Sequence, residues 1–482
     1  MRYMYHAVPR SISRSITLVN AAKFKPIYPG SIYYQKRSIT MATSRKVQLS
    51  PEVSGVFSLS KPSEESAQMA SRLLQENHEK YNLFFNEEGF HNHIVHQVLT
   101  LYGLGAPPNV IEAHYKSNTS YQMKPKPLRE ENVKAMSEPE GFKKFLGNIK
   151  YTHDYIEFFH RELEAKGVEA VVQEYLFSRS ELAEDLLARL YGGFLHPLIH
   201  LGFGLEFKQP LIVAEALAEA AVHDIWLKPF FIGAEKLAKE SKTSKSLSQL
   251  VVDVDSDEKL KASPKWADGN KIRDGILKRA PQEMINHASK YHVPLDQLAQ
   301  KTAEMMDATI FYTAAAQHPP KAIKIDFFFM HCVNASIFWP TFNALSWISD
   351  ENKCRLLEWK GRLDLVMYVS RGTPPLLKEE IEEYTAETGK DLTWNQLGER
   401  LFKINNDDGH AVKLLRALGT AEQVTKGFEG GKVQKEQWLG IGRMVVDSVE
   451  AVQGSDQSPW ARSVGFDKAW DDVKERPAKS SL

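Results

Sequence analysis

The chain has 482 residues, of which 43% are hydrophobic and 25% are charged, and its 61 basic side chains balance its 61 acidic ones. This composition is typical of a globular protein with one large domain or two to three smaller ones, and it excludes the collagen-like, mucin-like and disordered classes. The longest apolar runs, such as 325–330, are shorter than the roughly 20 residues that span a bilayer, so no membrane segment is predicted.

The first 50 residues are basic and rich in serine, with nine Lys or Arg and no Asp or Glu. This pattern predicts either a mitochondrial transit peptide or a disordered extension ahead of a second start at Met41. In both cases we expect 1–48 to lie outside the fold and 49–482 to form it, in the cytoplasm or the mitochondrion. The basic segment has no nucleic-acid-binding motif beside it, so no nucleic-acid partner is predicted. Cys332 and Cys354 are too few for a disulfide framework and indicate a reducing compartment.

Apolar residues recur at helical spacing along most of the remaining chain, and the period-two alternation of strands is scarce. The sequence therefore predicts an all-α fold with one large helical domain. The segment 240–270, rich in Ser, Lys and Asp, is expected to be a solvated insertion. Helices are predicted at 64–81, 92–104, 110–115, 141–165, 168–191, 210–226, 295–315, 326–346, 352–370 and 411–424.

The common cofactor and nucleophile motifs are missing from the sequence. The glycine pairs 202/204 and 440/442 lack the third glycine and the strand of a dinucleotide fold, so there is no flavin motif. There is also no P-loop, no Gly-x-Ser-x-Gly elbow and no His-Glu-x-x-His zinc motif. The histidines are therefore the main candidates for chemistry.

Two histidines four residues apart, His196 and His200, lie in an apolar segment punctuated by glycines. A helix that begins at Pro197 puts both rings on one face, close enough to bind a single metal ion. His331 is surrounded by apolar residues on a different predicted helix. Because burying an unpaired imidazole is costly, each of these rings needs either a metal ion or a backbone carbonyl as its partner.

Further histidines extend this set. His93 and His96 are three residues apart on one helical face, the other short spacing at which two imidazoles reach one ion. His223 lies at the end of an apolar helix, where it either binds a metal or complements the helix dipole. His410 lies at a predicted helix start, where it either contacts substrate or cofactor or forms part of a capping turn.

Lys360 falls on an apolar helical stripe, a position that lysine rarely occupies. Either its stem packs and its ammonium reaches water, or burial lowers the pKa of the amine and leaves it nucleophilic. A neutral lysine can form a Schiff base, act as a base, or take up carbon dioxide to give a carbamate, which is an anionic metal ligand. Asp364 and Glu206 are either acceptors that orient Lys360 and His200 or members of ordinary charge pairs.

Several motifs together resemble the questin oxidase-like family of fungal oxidoreductases. The resemblance runs from about residue 60 to 473 and rests on the segments 91–96, 101–106, 196–207, 214–223, 330–333, 356–365 and 407–410. It implies oxidative ring cleavage of a polycyclic aromatic small molecule, such as an anthraquinone, with dioxygen. It also implies a mononuclear non-haem iron(II) site of several histidines and a carboxylated lysine.

The family has also been described as NADPH-dependent and of the Baeyer–Villiger type, so NADPH is an alternative cofactor. A non-catalytic helical binding protein with packed histidines is the other alternative. Carried over by position, the resemblance gives an expected ligand set of His96, His196, His200, His223, His331 and Lys360, with His93 as an open alternative. The aromatic side chains expected to pack on the substrate are Phe203, Phe207, Trp339 and Tyr368.

Overall fold

The protein is described here by a computed structural model that covers residues 41–241, 243–384, 392–404 and 406–476. The predicted leader 1–40 lies outside the described residues. Residues 41–48 were also expected outside the fold, but they pack onto it: Val47 is buried, and Arg45 forms ion pairs with Glu157 and Glu164 at 2.8 and 2.7 Å. The packed chain therefore begins before residue 48.

The described chain is mostly helical, which confirms the predicted all-α fold. A two-stranded parallel ladder, β1 (Ile325–Asp326) with β2 (Trp460–Ala461), is a minor element. The helices are α1 Glu64–Lys80, α2 Ile94–Gly103, α3 Pro108–Thr119, α4 Glu130–Ala135, α5 Pro139–Lys143, α6 Thr152–Val172, α7 Glu181–Leu190, α8 Gly192–Glu206, α9 Pro210–Val222, α10 Lys228–Ser241, α11 Leu247–Asp255, α12 Glu258–Lys261, α13 Leu277–Arg279, α14 Pro281–Ala288, α15 Leu298–Ala315, α16 Phe327–Ser336, α17 Trp339–Ala344, α18 Asp350–Ser370, α19 Glu379–Glu382, α20 Trp394–Leu401, α21 His410–Val424 and α22 Trp438–Glu450.

Side-chain caps define where several of these helices begin. Ser63 and Ser349 precede α1 and α18, and each accepts a hydrogen bond from a first-turn amide. Asp326 caps α16 in the same way, and its second carboxylate oxygen accepts from the amides of Ser463 and Val464. The C-terminal segment is thereby fixed to the start of α16.

Four helices, α2, α8, α16 and α21, form a closed ring of contacts at the centre of the molecule. Helix α2 packs against α8 and α21, and α16 packs against the same two helices from the other side. Helix α9 lies along α8, and α15 and α18 cover α16. Among the described residues, no helix is both long enough and apolar enough to cross a membrane.

The segment 240–270 differs from its predicted loop structure. It contains α11 and α12, and Leu247, Leu250 and Leu260 are buried against the rest of the protein. Two of its polar residues cap these helices. Ser246 caps α11 and exchanges hydrogen bonds with Gln249, and Asp257 caps α12. Serine and aspartate therefore mark helix starts here rather than a solvated insertion.

The predicted helix 141–165 is divided between α5 and α6, and two further long predicted helices are also divided in the structure. The predicted helix 168–191 is interrupted by a π-helical turn at Gln173–Phe177 and by the Ser180 cap of α7. The predicted helix 326–346 ends at Ser336, and α17 follows it after two residues. Apolar periodicity continues across both breaks, so the sequence pattern did not reveal them.

Candidate metal centre

The ring of four helices brings together four buried histidines, one from each helix. His93 caps α2, His196 lies in α8, His331 in α16, and His410 is the first residue of α21. One ring nitrogen of each lies within 4.8 Å of the corresponding nitrogens of the other three. We refer to these four residues as the four-histidine cluster.

Backbone carbonyls set the tautomer of three of these rings. Nδ1 of His196 lies 2.5 Å from the carbonyl oxygen of Gly193, Nδ1 of His331 lies 2.6 Å from that of Phe327, and Nδ1 of His410 lies 2.7 Å from that of Asp407. A carbonyl oxygen only accepts hydrogen bonds, so each Nδ1 carries the proton and donates it. Each Nε2 is left with an unprotonated lone pair, which is the arrangement that metal-binding histidines adopt.

Few hydrogen bonds are available to these Nε2 atoms. Nε2 of His331 and Nε2 of His410 are buried and have no hydrogen-bond partner, whereas Nε2 of His196 lies 2.9 Å from Nε2 of His93. Burial lowers the pKa of all four imidazoles well below the usual value, and that of His331 to about 3. The cluster is therefore a set of neutral imidazoles in which the Nε2 lone pairs of His331 and His410 are free and that of His196 faces Nε2 of His93.

An unusual backbone at the start of α8 positions His196. Gly193, Phe194 and Leu195 all have positive φ, at 51°, 54° and 72°, and each non-glycine residue in this left-handed region costs about 1–2 kcal/mol. Pro197 has no N–H to donate to the carbonyl four residues earlier, which belongs to Gly193. That carbonyl accepts from His196 instead. Regular helix follows Leu195, close to the predicted start at Pro197.

A buried lysine lies next to the cluster. Lys413, one turn after His410 in α21, has no exposed surface, and its Nζ lies 3.4 Å from Nδ1 of His96. Burial lowers the pKa of Lys413 to about 7, although the nearby Asp407 and Asp408 oppose this shift. Burial therefore favours the neutral form of this amine.

A second group of three ligand side chains lies beside the first. Nε2 of His91 is 2.7 Å from Nε2 of His223 and 3.2 Å from Oε1 of Glu219. The His91 ring stacks on the His196 ring with centroids 3.9 Å apart and an interplanar angle of 3°. We call His91, Glu219 and His223 the second triad.

Three half-buried phenylalanines lie against one side of the four-histidine cluster. The Phe327 ring centroid is 4.6 Å from that of His331 and 5.5 Å from that of His410. Phe194 and Phe328 adjoin it, with their centroids 4.8 Å apart. These rings form a partly exposed aromatic surface that leads to the histidines.

The sequence profile described as questin oxidase-like matches residues 90–418. The chain belongs to the questin oxidase-like family. The predicted resemblance is thereby confirmed, and the matched span contains both groups of histidines and Lys413.

Characterised relatives align over nearly their whole length. The chain is 38% identical to "Oxidoreductase AflY" of Aspergillus parasiticus over 486 residues, covering 91% of this chain and 96% of the relative. It is 38% identical to "Baeyer-Villiger oxidase ptaJ" of Pestalotiopsis fici, covering 90% and 99%, and 35% identical to a "Questin oxidase" of Aspergillus fumigatus, covering 89% and 99%. This questin oxidase-like protein is an oxidoreductase, so the alternative of a non-catalytic binding protein is set aside.

Of the six expected metal ligands, the structure places His196 and His331 in the four-histidine cluster. The other two members are His93, which the sequence left as an alternative, and His410, which was a catalytic candidate. The structure places His223 in the second triad. The remaining expected ligands lie elsewhere.

His96 and His200 lie beside the cluster, with ring centroids 5.2 Å apart. His96 contacts Lys413, and its Nε2 has no hydrogen-bond partner. Nε2 of His200 lies 3.0 Å from a carboxylate oxygen of Glu215, and its Nδ1 lies 3.5 Å from Glu219. His200 is thus paired with carboxylates rather than with the other imidazoles.

Lys360 is fully buried and forms an ion pair with Asp364 on the same helix. Its Nζ also lies 3.7 Å from Sδ of Met305 and faces the ring of Trp339. The carboxylate of Glu206 pairs with Arg416 at 2.7 Å. Both carboxylates are therefore members of buried charge pairs.

Sequence reasoning missed His91, Glu219 and Lys413. Lys413 lies in an apolar helical segment, as Lys360 does, so the same stripe argument identifies it. Glu219 lies four residues before His223, a spacing that places both side chains on one face of α9. The aromatic residues expected to pack on the substrate are all fully buried in the core: Phe203, Phe207, Trp339 and Tyr368.

Proposed function

We propose that this enzyme catalyses the oxidative ring cleavage of a polycyclic aromatic, anthraquinone-like substrate with dioxygen, at a non-haem iron(II) site formed by His93, His196, His331 and His410. The observation that carries this proposal is the set of buried Nε2 lone pairs that carry no proton. Lone pairs that approach one another in an apolar interior are unfavourable unless a cation lies between them. A metal ion satisfies all of them at once.

An all-imidazole donor set fits iron, and it also accepts zinc or copper. When bound, iron(II) supplies the activation of dioxygen that oxidation of an aromatic ring requires. The carbonyls of Gly193, Phe327 and Asp407 hold the three Nδ1 protons and so keep each Nε2 directed away from its own backbone. The protein thereby fixes the ligand tautomers before any metal arrives.

We further propose that Lys413, and not Lys360, is the carboxylated lysine that the family resemblance implies. Carbamate formation needs a free amine lone pair, and the Nζ of Lys360 is already engaged in an ion pair with Asp364. Lys413 lies on the same helix as His410 and contacts an imidazole instead. Its nitrogen lone pair forms the N–C bond, one C=O π bond of carbon dioxide breaks, and Nδ1 of His96 is placed to accept the released proton.

An aromatic substrate is supported by the half-buried surface of Phe194, Phe327 and Phe328. The guanidinium of Arg462 lies 4.3 Å from the centre of the Phe327 ring, and that of Arg371 lies 4.0 Å from the centre of the Phe328 ring. Planar rings stack on such a surface, and the two cations favour phenolate or carboxylate groups on the same molecule.

The test is metal analysis and oxygen consumption with the full-length protein, purified without chelators and supplied with questin or a related hydroxyanthraquinone. We expect bound iron and oxygen uptake in the wild type, and loss of both in His331→Asn. The matched control is His292→Asn, because the His292 side chain is 47% exposed and pairs with Glu358 on the surface. Full oxygen uptake by a metal-free wild type would refute the iron site.

The alternative is an NADPH-dependent monooxygenase of the Baeyer–Villiger type without a metal. The name of the Pestalotiopsis fici relative favours it. It predicts substrate-dependent NADPH oxidation that persists after treatment with a chelator and in His331→Asn. The same two protein preparations therefore separate the two functions.

A further inference from the structure

We propose that His91, Glu219 and His223 form a second site for a divalent transition metal of the zinc or iron(II) class, separate from the four-histidine cluster. The three ligand atoms lie within 4.8 Å of one another. Two imidazoles and one carboxylate, with further positions open, are a donor set that zinc and iron(II) both accept. This inference goes beyond the proposed function, which uses none of these three residues.

The hydrogen bonds within the triad leave two of its polar groups unsatisfied. The two Nε2 atoms of His91 and His223 lie 2.7 Å apart, so only one proton fits between them, and Oε1 of Glu219 competes for it at 3.2 Å. Oε2 of Glu219 is buried and has no hydrogen-bond partner. A dication between the three side chains replaces the shared proton and neutralises the carboxylate.

Of the neighbouring histidines, His200 reaches Glu219, but its Nδ1 lies 3.5 Å from Oε2, which is longer than an ordinary hydrogen bond. His78 and His200 lie 2.8 and 3.0 Å from the two oxygens of Glu215, one turn before Glu219 on α9. Both histidines therefore pair mainly with Glu215. The 3.5 Å separation between Nδ1 of His200 and Glu219 is longer than either of these contacts. A buried carboxylate with only such long contacts to basic side chains is costly, and this cost points to a ligand at Glu219.

The backbone of α8 makes room for the triad. A Cβ atom on Gly193 would lie 2.5 Å from Cε1 of His223 and 2.7 Å from Cε1 of His91. Any other residue at this position would force both rings to move. The same glycine orients His196 through its carbonyl, so one residue shapes both groups of ligands.

The stacking of His91 on His196 links the second site to the four-histidine cluster, and it suggests a positioning role for the second metal. A metal bound to Nε2 of His91 holds that ring in place, and its flat face supports the ring of His196 at 3.9 Å. The second metal therefore stabilises the geometry of the four-histidine cluster without touching the substrate. Glu219 and His223 are positioning residues in this scheme.

The experiment measures zinc in the full-length protein after removal of metals with a chelator, reloading with Zn²⁺ and desalting. Zinc is redox-inert, so the readout does not depend on activity. We expect two zinc ions per wild-type chain and one in Glu219→Gln, whose amide keeps the shape of the side chain. Asp154→Asn, which changes a buried carboxylate on α6 that pairs with Arg129 rather than with a histidine, is the matched control and keeps two.

His223→Asn, at the half-buried end of α9, is the second variant in case Glu219→Gln fails to fold, and it is expected to bind one zinc ion. His331→Asn separates this inference from the proposed function. One zinc in the wild type, lost in His331→Asn and retained in Glu219→Gln, overturns the second site alone. One zinc that is lost in Glu219→Gln and retained in His331→Asn supports the second site and overturns the proposed iron site. No zinc in any variant overturns both.

Discussion

Buried ionisable side chains are stabilised in two different ways in two regions of this enzyme. Around α18 and the first half of α9, buried basic side chains such as Lys360 and His200 pair with the carboxylates of Asp364 and Glu215. At the junction of α2, α8, α16 and α21, Lys413 and the clustered imidazoles contact carbonyls and one another instead. The first arrangement is complete without a ligand. The second leaves buried Nε2 atoms without hydrogen-bond partners, and in the proposed function a metal ion completes it.

The largest expected effect is the loss of stability on substitution of Lys360, in the region where buried basic side chains pair with carboxylates. Lys360→Met leaves the Asp364 carboxylate buried and unpaired, which should lower the free energy of unfolding by about 3–5 kcal/mol. The double variant Lys360→Met/Asp364→Leu removes both charges and should recover most of that loss. Urea unfolding measures all three proteins. If Lys360→Met instead keeps its stability and loses bound iron, Lys360 belongs to the metal site and the comparison fails.

Substitution of Lys413, in the region of the clustered imidazoles, should lower activity rather than stability. Lys413→Met removes a neutral amine, so we expect little change in stability but a fall of about 100-fold in the rate of oxygen consumption, which corresponds to ~2.7 kcal/mol. Native mass spectrometry, with carbon-13-labelled bicarbonate in the buffer, should show the added carbon dioxide on the wild type and on Lys360→Met. The label should be absent from Lys413→Met. A label that persists in Lys413→Met would place the carbamate on a different lysine.

Sequence periodicity predicts the long helices because each buries a regular apolar stripe. It predicts less well where the helix is short and its caps are numerous, as in α11, where Ser246 and its neighbours resemble a loop. For the site, apolar surroundings identified His196 and His331 as unusual. The pairing of Lys360 with Asp364 follows from their spacing of four residues on α18, but the proximity of Lys413 to His96 depends on how distant helices pack. Local spacing carries no record of that packing, so the choice between the two lysines required the structure.

A smaller effect is expected from the glycine that both groups of ligands share. Gly193→Ala places a methyl group against His91 and His223, and it should weaken metal binding by about 10-fold, as measured by competition with a chelator. The control is Gly89→Ala, because Gly89 also has positive φ, at 82°, but has nothing within 4 Å of the added Cβ. It should cost roughly 1 kcal/mol of stability and leave metal affinity unchanged. Equal effects of the two variants would attribute the role of Gly193 to backbone strain alone.

The smallest expected effect is the contribution of Glu215 to the pH dependence of the free energy of unfolding. Burial alone would raise the pKa of Glu215, but hydrogen bonds from His200 and His78 lower it to about 2. Because the pKa in the folded state lies below the unfolded value of 4.5, ionised Glu215 stabilises the fold above about pH 4.5, and this contribution is lost as the pH falls toward 2. Urea unfolding of metal-free protein across this range should show that loss.

Glu215→Gln should lack this part of the pH dependence, whereas Glu164→Gln, which removes a half-exposed carboxylate paired with Arg45, should keep it. The protein is kept metal-free in these measurements because protonation of ligand histidines releases metal and adds its own pH dependence. If Glu215→Gln follows the wild-type curve, His78 and His200 do not hold an ionised Glu215. They would then be free to pair with Glu219, and the separation between paired and unpaired regions along α9 would disappear.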